Sequence, residues 1–452
     1  MTKRKIQTGS QVVVVNQAQD HLQRQRVAIT GIGHVSCLGL SMEAAWQQVS
    51  HGRSGIERIK KFDVTDLPVQ IAGEVRGLQG ANYFPAKLLR ELDPFSLFAL
   101  VAAEEALRQA RLLPASSEAS QTALHCELLG VDPDRCGVSV GSCMTGLNTL
   151  ETNIARMAHG ERIEARTHPK YMHNMPAGQI SIRYNLRGPN WAMSTACATA
   201  NHNIGFAARA IQWGEADVMI AGGTDEGVTP FSLAGYCAAN ALSKRNDQPA
   251  LASRPWDVDR DGFVLGEGAG LLVLERLEHA LERGAPVLGI LSGFGSASDA
   301  EHVTKPPKNG HGGARAQLQA LRDANLQPGQ LSYINAHGTS TPLGDYAELQ
   351  GIRGYLEQAG LPLDHVPISS TKSLHGHGLG AAGGIEAGIC IQAMQANLIP
   401  ATHNLLKPDR GCSGFDLVPQ TPRPAELQHI LSNSYGFGGT TSALIFSRFC
   451  PR

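Results

Sequence analysis

A layered α/β fold is predicted by three features of this 452-residue chain. Short β-branched runs alternate with helical patterns from end to end. Two stretches of similar layout recur, one in each part of the chain. Hydrophobic residues make up 42% against 17% charged, enough to bury a large core and incompatible with global disorder. Length alone suggests roughly three domain-sized units.

Taken in order, residues 1–25 read as a flexible leader. Its tip is basic, its four-valine run is too short for a secretory signal, and no acid precedes Asp20. A cytoplasmic leader is the preferred reading, and an organelle transit peptide is the alternative. Arg26-Val-Ala-Ile-Thr-Gly-Ile-Gly33 is a β-branched run ended by glycines, a buried strand. Leu97–Ala110 has a helical pattern, and Leu112–Pro133, with its Pro-Ala-Ser-Ser stretch, reads as an exposed insertion or long loop. Strand-like runs follow at Cys136–Val140, Ala192–Ser194, Val218–Ala221 and Leu271–Leu274, with a helix over Asn201–Trp213. Further runs occupy Val287–Leu291, Tyr333–Ala336 and Ala443–Phe446. Ala192–Cys197 leads from a strand through Ser-Thr-Ala-Cys into a helix. Ile368–Lys372 leads likewise into Ser-Ser-Thr-Lys, then glycines, then the helix-like Ile385–Asn397. Ala216–Gly223 and Ile430–Gly439 each end a strand in glycines. The echo divides the chain into halves 26–284 and 285–452.

Composition narrows the function. The 39 basic and 40 acidic side chains give a net charge of −1, which argues against nucleic acid or an anionic membrane as partner. No apolar run reaches the ~18 residues of a membrane span. Nine cysteines without a C-x-x-C pair fit free thiols in a reducing compartment better than disulfides or a zinc ribbon. The 50 glycines exceed the usual ~7% share without a collagen period and imply many tight turns.

Cys197 sits among small residues before a helix. A helix N-terminus lowers a thiol pKa, which predicts a nucleophile; the dull alternative is a buried structural cysteine. In Asn335-Ala-His-Gly-Thr-Ser-Thr341, His337 ends a strand. Lys372, His375 and His377 lie in Ser369–Gly383, a turn that reads as too glycine-rich to pack a core. Strand-end histidines of this kind suit a Cys/His site, and His375-x-His377 lacks a third metal ligand. Asn433-Ser-Tyr-Gly-Phe-Gly-Gly-Thr-Thr441 sets Phe437 between glycines as a gate, with backbone N–H groups suited to an oxyanion hole. Asp257-Val-Asp-Arg-Asp-Gly262 starts like a calcium loop, but Gly268 stands where the twelfth-position Glu belongs. Ser36 occupies the third-glycine position after Gly31-x-Gly33, so no dinucleotide motif is indicated.

Together these segments closely resemble the β-ketoacyl-acyl-carrier-protein synthases, in particular the type II elongating form, from about Arg26 to Phe449. Arg254–Gly270 belongs to the match and explains the false calcium loop. The resemblance implies a thiolase-like fold, five-layered (αβαβα), of two pseudo-repeated halves in a homodimer; a heterodimer with a related subunit is the second arrangement. It implies that Cys197 takes an acyl group from acyl-carrier protein and that His337 and His377 stabilise the enolate formed from malonyl-carrier protein. The oxyanion would rest on the N–H groups of Cys197 and Phe437. Lys372, paired with Glu348, would orient the site, and Thr339 and Thr341 would bond the phosphopantetheine arm. Lys87 and Arg90 would meet the acidic carrier. No metal, nucleotide or other cofactor is implied.

Departures bear on the substrate. Met144, at the position limiting acyl depth, replaces a commonly smaller branched residue, and Cys143 replaces a glycine. Thr167–Pro176 carries His168, Lys170, Tyr171 and His173 where an apolar stretch is usual, so these side chains either mark an unusual acyl chain or face solvent. Asn240 stands where an arginine is common. The leading expectation is fatty-acid elongation. A specialised polyketide or polyene ketosynthase is the close variant, and a non-catalytic partner subunit, which typically lacks the cysteine, is the distant one.

Overall fold

The computed structural model describes residues 4–8, 11–15, 24–114 and 122–450. Its main sheet has ten strands. In chain order they are β1 (Val27–Val35), β2 (Cys136–Gly141), β3 (Asn190–Trp191), β4 (Val218–Asp225) and β5 (Gly268–Arg276), then β6 (Gly289–Ser298), β7 (Tyr333–Asn335), β8 (Ile368–Ser369), β9 (His429–Gly436) and β10 (Thr440–Ser447). Spatially they run β8-β7-β9-β10-β6-β1-β5-β4-β2-β3. From the β1/β6 junction outward, each set of five therefore shows the same order: first, fifth, fourth, second, third. Pairing repeats as well. The second strand is parallel to the third and fourth, and the fifth is antiparallel to the first and fourth, in both sets.

Five helices complete the layers: α1 (Pro94–Gln109), α2 (Thr199–Gln212), α3 (His311–Asp323), α4 (Pro342–Gln358) and α5 (Ala382–Ala396). α2 and α5 pack on each other and on strands of both sets, so they form a central layer between two folded-over half-sheets. α1 covers the outer face of the first half, and α3, with α4 against it, covers the second. The order is α, β, α, β, α. α5 is apolar almost all round, with Ile385, Ile389, Ile391 and Met394 buried, as a helix enclosed by two sheets must be.

The first strand of each half shows why glycines matter here. A Cβ on Gly31 or Gly33 would lie 2.0 or 1.7 Å from the carbonyl oxygen of Ala106 or Ala102 on α1; one on Gly293 or Gly295 would lie 2.3 or 1.9 Å from that of Ala320 or Ala316 on α3. Gly31-x-Gly33 is thus a strand–helix packing device with a counterpart in the other half.

Three readings change. The strand expected at Ala192–Ser194 is Asn190–Trp191, and residues 192–194 lead into a turn. The strand expected at Val287–Leu291 starts at Gly289 and extends to Ser298. Leu112–Pro133 is not simply exposed: Leu112 and Leu113 are buried, the Leu129 N–H donates to Leu112 O and the Cys126 N–H to Arg183 O. Residues 115–121 lie outside the described residues. Within the leader, Arg4–Thr8 pairs antiparallel with Gln11–Val15.

Candidate active site

The chemistry gathers at the carboxyl ends of the second, third and fourth strands of both halves, where side chains converge at the rim of an α/β sheet. After β3 the chain turns through Ala196, held at φ 50°, before entering α2. A positive φ at a residue with a side chain is strained and needs support. Thr440 Oγ1 donates to Thr195 O (3.0 Å), and Thr199 Oγ1 accepts the Thr195 N–H (2.9 Å) while donating to Ala196 O (2.7 Å). Cys197 follows, just ahead of the helix. Burial pushes its thiol up to about 12, against the opposing pull of the Lys372 charge. The lowering expected from the helix N-terminus is therefore reversed, because desolvation of the thiolate dominates.

His337 follows β7, and Glu348 on α4 fixes its backbone. The Glu348 carboxylate accepts the N–H of His337 (2.9 Å), the N–H of Gly338 (2.8 Å) and Asn433 Nδ2 (2.9 Å). His377 is strapped at its main chain, donating to Val264 O (2.7 Å) and accepting from the Gly266 N–H (2.9 Å). The two imidazoles stand edge to face, 5.3 Å between centroids at 85°. Burial first, then the Lys372 charge, holds both well below the usual imidazole range, so both are neutral. Their Nδ1 atoms are buried without a partner among the described residues, which leaves Nε2 to meet a ligand.

The pairing of Lys372 with Glu348 is corrected. Lys372 Nζ is bonded to Glu386 on α5, both side chains being almost completely enclosed. Glu348 has three other donors and acts on His337 instead. Burial raises the Glu386 carboxyl to about 7 despite Lys372. Glu386 escaped the sequence reading, although a lone acid in an otherwise apolar helix is a signal for a buried partner. The histidine turn also packs a core, contrary to expectation: residues 371–390 are all buried. Its glycines allow this, since a Cβ on Gly384 would lie 2.1 Å from Gly270 O. His375 is enclosed there and bonds Thr371 Oγ1 through Nε2 (3.1 Å).

Cys197, His337, His377, Thr339, Thr341 and Phe437 line one cavity of about 390 Å³. Thr339 Oγ1 and Thr341 Oγ1 are 3.0 Å apart. Phe437, 46% exposed, stands at the mouth; its loop is tied by the Gly438 N–H to Val303 O (2.7 Å) and by the Asp299 N–H to Gly439 O (2.8 Å). Met144 is not among the described lining residues. Tyr236 lines the cavity instead, its hydroxyl 3.9 Å from Met144 Sδ. Asp225, at the end of β4, accepts Ser142 Oγ and the N–H groups of Met144 (2.9 Å) and Gly380 (2.6 Å), which fixes the wall beside Cys197. Neither Tyr236 nor Asp225 was marked by a motif in the sequence.

Lys87 and Arg90 are exposed on the short helix Ala86–Leu89 and its cap, away from the cavity lining. In Thr167–Pro176 of the single chain, His168 and His173 are exposed, Lys170 and Tyr171 are half-buried, Lys170 pairs with Glu164 at 2.8 Å, and His173 Nδ1 lies 3.1 Å from Ser142 O. The Asp257 carboxylate accepts the N–H groups of Leu406 and Lys407 (both 2.8 Å), a structural use of the calcium-like segment. Among the described residues, no group of three or more His, Cys, Asp or Glu side chains is placed to hold a metal ion.

Comparison with known proteins bears on the family and the fold. Residues 24–280 match the model of the beta-ketoacyl synthase N-terminal domain and 288–406 that of the C-terminal domain. The chain is 44% identical over 430 residues to 3-oxoacyl-[acyl-carrier-protein] synthase 2 of Vibrio cholerae, covering 94% of this chain and 100% of the relative. A beta-ketoacyl synthase from Burkholderia phymatum superposes with a TM-score of 0.85 at 33% identity, over 94% of this chain and 100% of that one. A type II PKS acyl-carrier protein in complex with its ketosynthase bound to the hexaketide gives 0.83 at 28% identity, over 95% and 100%. With both domain models matched in sequence along a thiolase-like fold, the chain belongs to the β-ketoacyl synthase family.

Proposed function

We propose that this chain is a 3-oxoacyl-carrier-protein synthase that condenses malonyl-carrier protein with an acyl group held on Cys197. The observation that carries the reading is the pair of neutral imidazoles, 5.3 Å apart, lining the same cavity as the thiol. In the first step the acyl group passes from the carrier's thioester to Cys197 Sγ, and the Cys197 proton leaves with the released carrier thiol. In the second step the malonyl thioester sheds carbon dioxide. His337 and His377 donate N–H bonds to its carbonyl oxygen, stabilising the enolate as fixed donors in an enclosed site. The enolate carbon attacks the acyl carbonyl, whose oxyanion rests on the N–H groups of Cys197 and Phe437. Collapse expels the Cys197 thiolate, which regains a proton. A thiol with a high pKa is neutral at rest, so this proton uptake is favourable.

Lys372 and Glu386 shape the field behind the imidazoles, Glu348 positions His337, and Thr339 and Thr341 bond the pantetheine arm. Met144 backs the acyl wall. Lys87 and Arg90 contact the acidic carrier, and the chain works in the cytoplasm as a homodimer of units built from halves 26–284 and 285–452, without a resident cofactor. Fatty-acid elongation is the favoured pathway. The test is incubation with malonyl-carrier protein and a panel of acyl-carrier proteins, with products followed by intact mass and Cys197→Ala as control. Condensation of saturated chains places the protein in elongation. Condensation restricted to other primers places it in a specialised pathway, and none with any carrier overturns the reading.

A further inference from the structure

Asp225 ends β4 with its carboxylate fully buried, and four neutral groups donate to it. Oδ1 accepts the Ser142 hydroxyl (2.5 Å) and the Met144 N–H (2.9 Å), and Oδ2 accepts the Gly380 N–H (2.6 Å). The Cys143 N–H lies 3.2 Å from both oxygens. Three of the four donors are backbone N–H groups, which cannot accept a proton's hydrogen bond and therefore favour the anion. Burial pushes the carboxyl up, and the Ser142, Met144 and Cys143 donors pull it back.

The donors come from both halves. Ser142, Cys143 and Met144 follow β2, and Cys143 and Met144 pack on the same apolar cluster as Cys197. Gly380 stands three residues past His377, in the turn Leu379–Ala381. Leu379 is held at φ 52° and lines the cavity with Cys197 and His377. A leucine at positive φ is strained and keeps that conformation only where its surroundings enforce it. The bond from the Gly380 N–H to Asp225 is the tie beside it. The fit leaves no slack: a Cβ on Gly380 would lie 2.4 Å from Asp225 Oδ2 and 2.9 Å from Cys143 N, and one on Gly223 would lie 2.2 Å from Gly380 O. After burial and the opposing Lys372 charge, the Asp225 anion is the next largest influence on the Cys197 thiol, and it raises it.

We propose that Asp225 is a positioning residue of the condensing reaction, an anionic clamp that holds the turn after His377 in one half against the wall beside Cys197 in the other. This rests on the condensing reading, in which Cys197 and His377 act in one cavity. The test compares Asp225→Asn, which keeps the shape and removes the charge, with Ser142→Ala, which removes one tie and keeps the charge. Malonyl decarboxylation is measured as kcat and KM for malonyl-carrier protein, and alkylation of Cys197 by iodoacetamide at pH 8 is followed by peptide mass. In Asp225→Asn, kcat falls about 10–100-fold, the size of effect that a displacement of about 1 Å produces. KM stays within about twofold, because the carrier-facing groups are untouched. Alkylation of Cys197 speeds up about three- to tenfold, since the thiolate forms more easily without the neighbouring anion. In Ser142→Ala, kcat falls about two- to tenfold and alkylation stays within about twofold. An Asp225→Asn enzyme with unchanged kcat or unchanged alkylation overturns the proposal. Equal acceleration of alkylation in both variants, the mark of a loosened wall, overturns it too. Should Asp225→Asn not fold, Ser142→Ala decides alone, and an unchanged kcat there rejects the clamp. A wild type without malonyl decarboxylation defeats the condensing reading instead, and the alkylation comparison still decides whether the anion acts on Cys197.

Discussion

The same slot, the turn after the third strand, is filled in opposite ways in the two halves. In the first, Asn190–Trp191 leads through a tight turn with a strained Ala196 to a half-buried Cys197 and then α2. In the second, Ile368–Ser369 leads to Lys372 and His377 in a segment that is buried throughout, and then α5. The second and fourth strands differ likewise, ending at the Cys143–Met144 wall and Asp225 in one half and at His337 and the Phe437 loop in the other. In the proposed reaction, one topology thus supplies a nucleophile from one copy and hydrogen-bond donors from the other. Burial keeps all three reacting groups neutral at rest, raising the thiol and lowering both imidazoles. In the proposed mechanism, charge arises only as acyl transfer and decarboxylation proceed, and the pre-set donors and the Lys372–Glu386 pair meet it there.

The division of labour is tested most severely by removing one half's contribution at a time. Cys197→Ala is expected to reduce acyl transfer by at least ~10³-fold while malonyl decarboxylation continues, because the donors lie in the other half. Retained condensation would falsify the nucleophile assignment. His337→Ala and His377→Ala are each expected to lower malonyl decarboxylation about 10²–10³-fold, the range for losing one fixed oxyanion donor. Acylation of Cys197 from an acyl-carrier protein should stay within a few-fold in both. Equal loss of the two steps would dissolve the distinction between the halves.

The background ion pair gives the next largest effect, this time on stability. Lys372 and Glu386 have side chains about 1% and 0% exposed. Removing one partner strands the other in a low-dielectric interior, which costs about 3–5 kcal/mol for buried pairs. Glu386→Gln should therefore destabilise more than Lys372→Met, because a carboxyl already raised to about 7 can take up a proton when its partner is removed, whereas an ammonium has to give one up. Urea denaturation of the two variants at pH 7 decides the order; equal midpoints would show that the pair is solvated in solution.

Much of this contrast was readable from the chain because strand-end chemistry leaves local traces. Strand ends beside glycines mark His337 and Phe437, and small residues ahead of a helix mark Cys197, without long-range information. The repeat was visible in Ser-Thr-Ala-Cys197 and Ser-Ser-Thr-Lys372, which fall in the same topological slot. Partners across the fold left no such trace. Glu348 and Glu386 both lie on helices, and only packing decides that Glu348 reaches the His337 backbone while Glu386 reaches Lys372. Tyr236 was hidden for a similar reason. Met144 belongs to a motif legible in the sequence, but Tyr236, a ring from another helix, lines the cavity in its place. The direction of the Cys197 shift was also out of reach, since a helix terminus is local and desolvation depends on the whole enclosure.

That shift gives the subtlest contrast between the halves. The thiolate is the nucleophile toward an alkylating agent. With the thiol at about 12, the thiolate fraction grows tenfold for each pH unit anywhere below that value. The imidazoles, held well below 6.5, are already neutral at pH 6 and add no inflection above it. Cys197-specific alkylation by iodoacetamide should therefore rise with unit slope on a logarithmic scale from pH 6 to pH 9, without a plateau. Had the helix N-terminus prevailed over burial, the rate would level off near or below neutrality. Had a histidine shared its proton with the thiol, a step would appear between pH 6 and 7. A straight line leaves burial as the controlling influence on both halves, acting in opposite senses on an acid that becomes anionic and a base that becomes cationic.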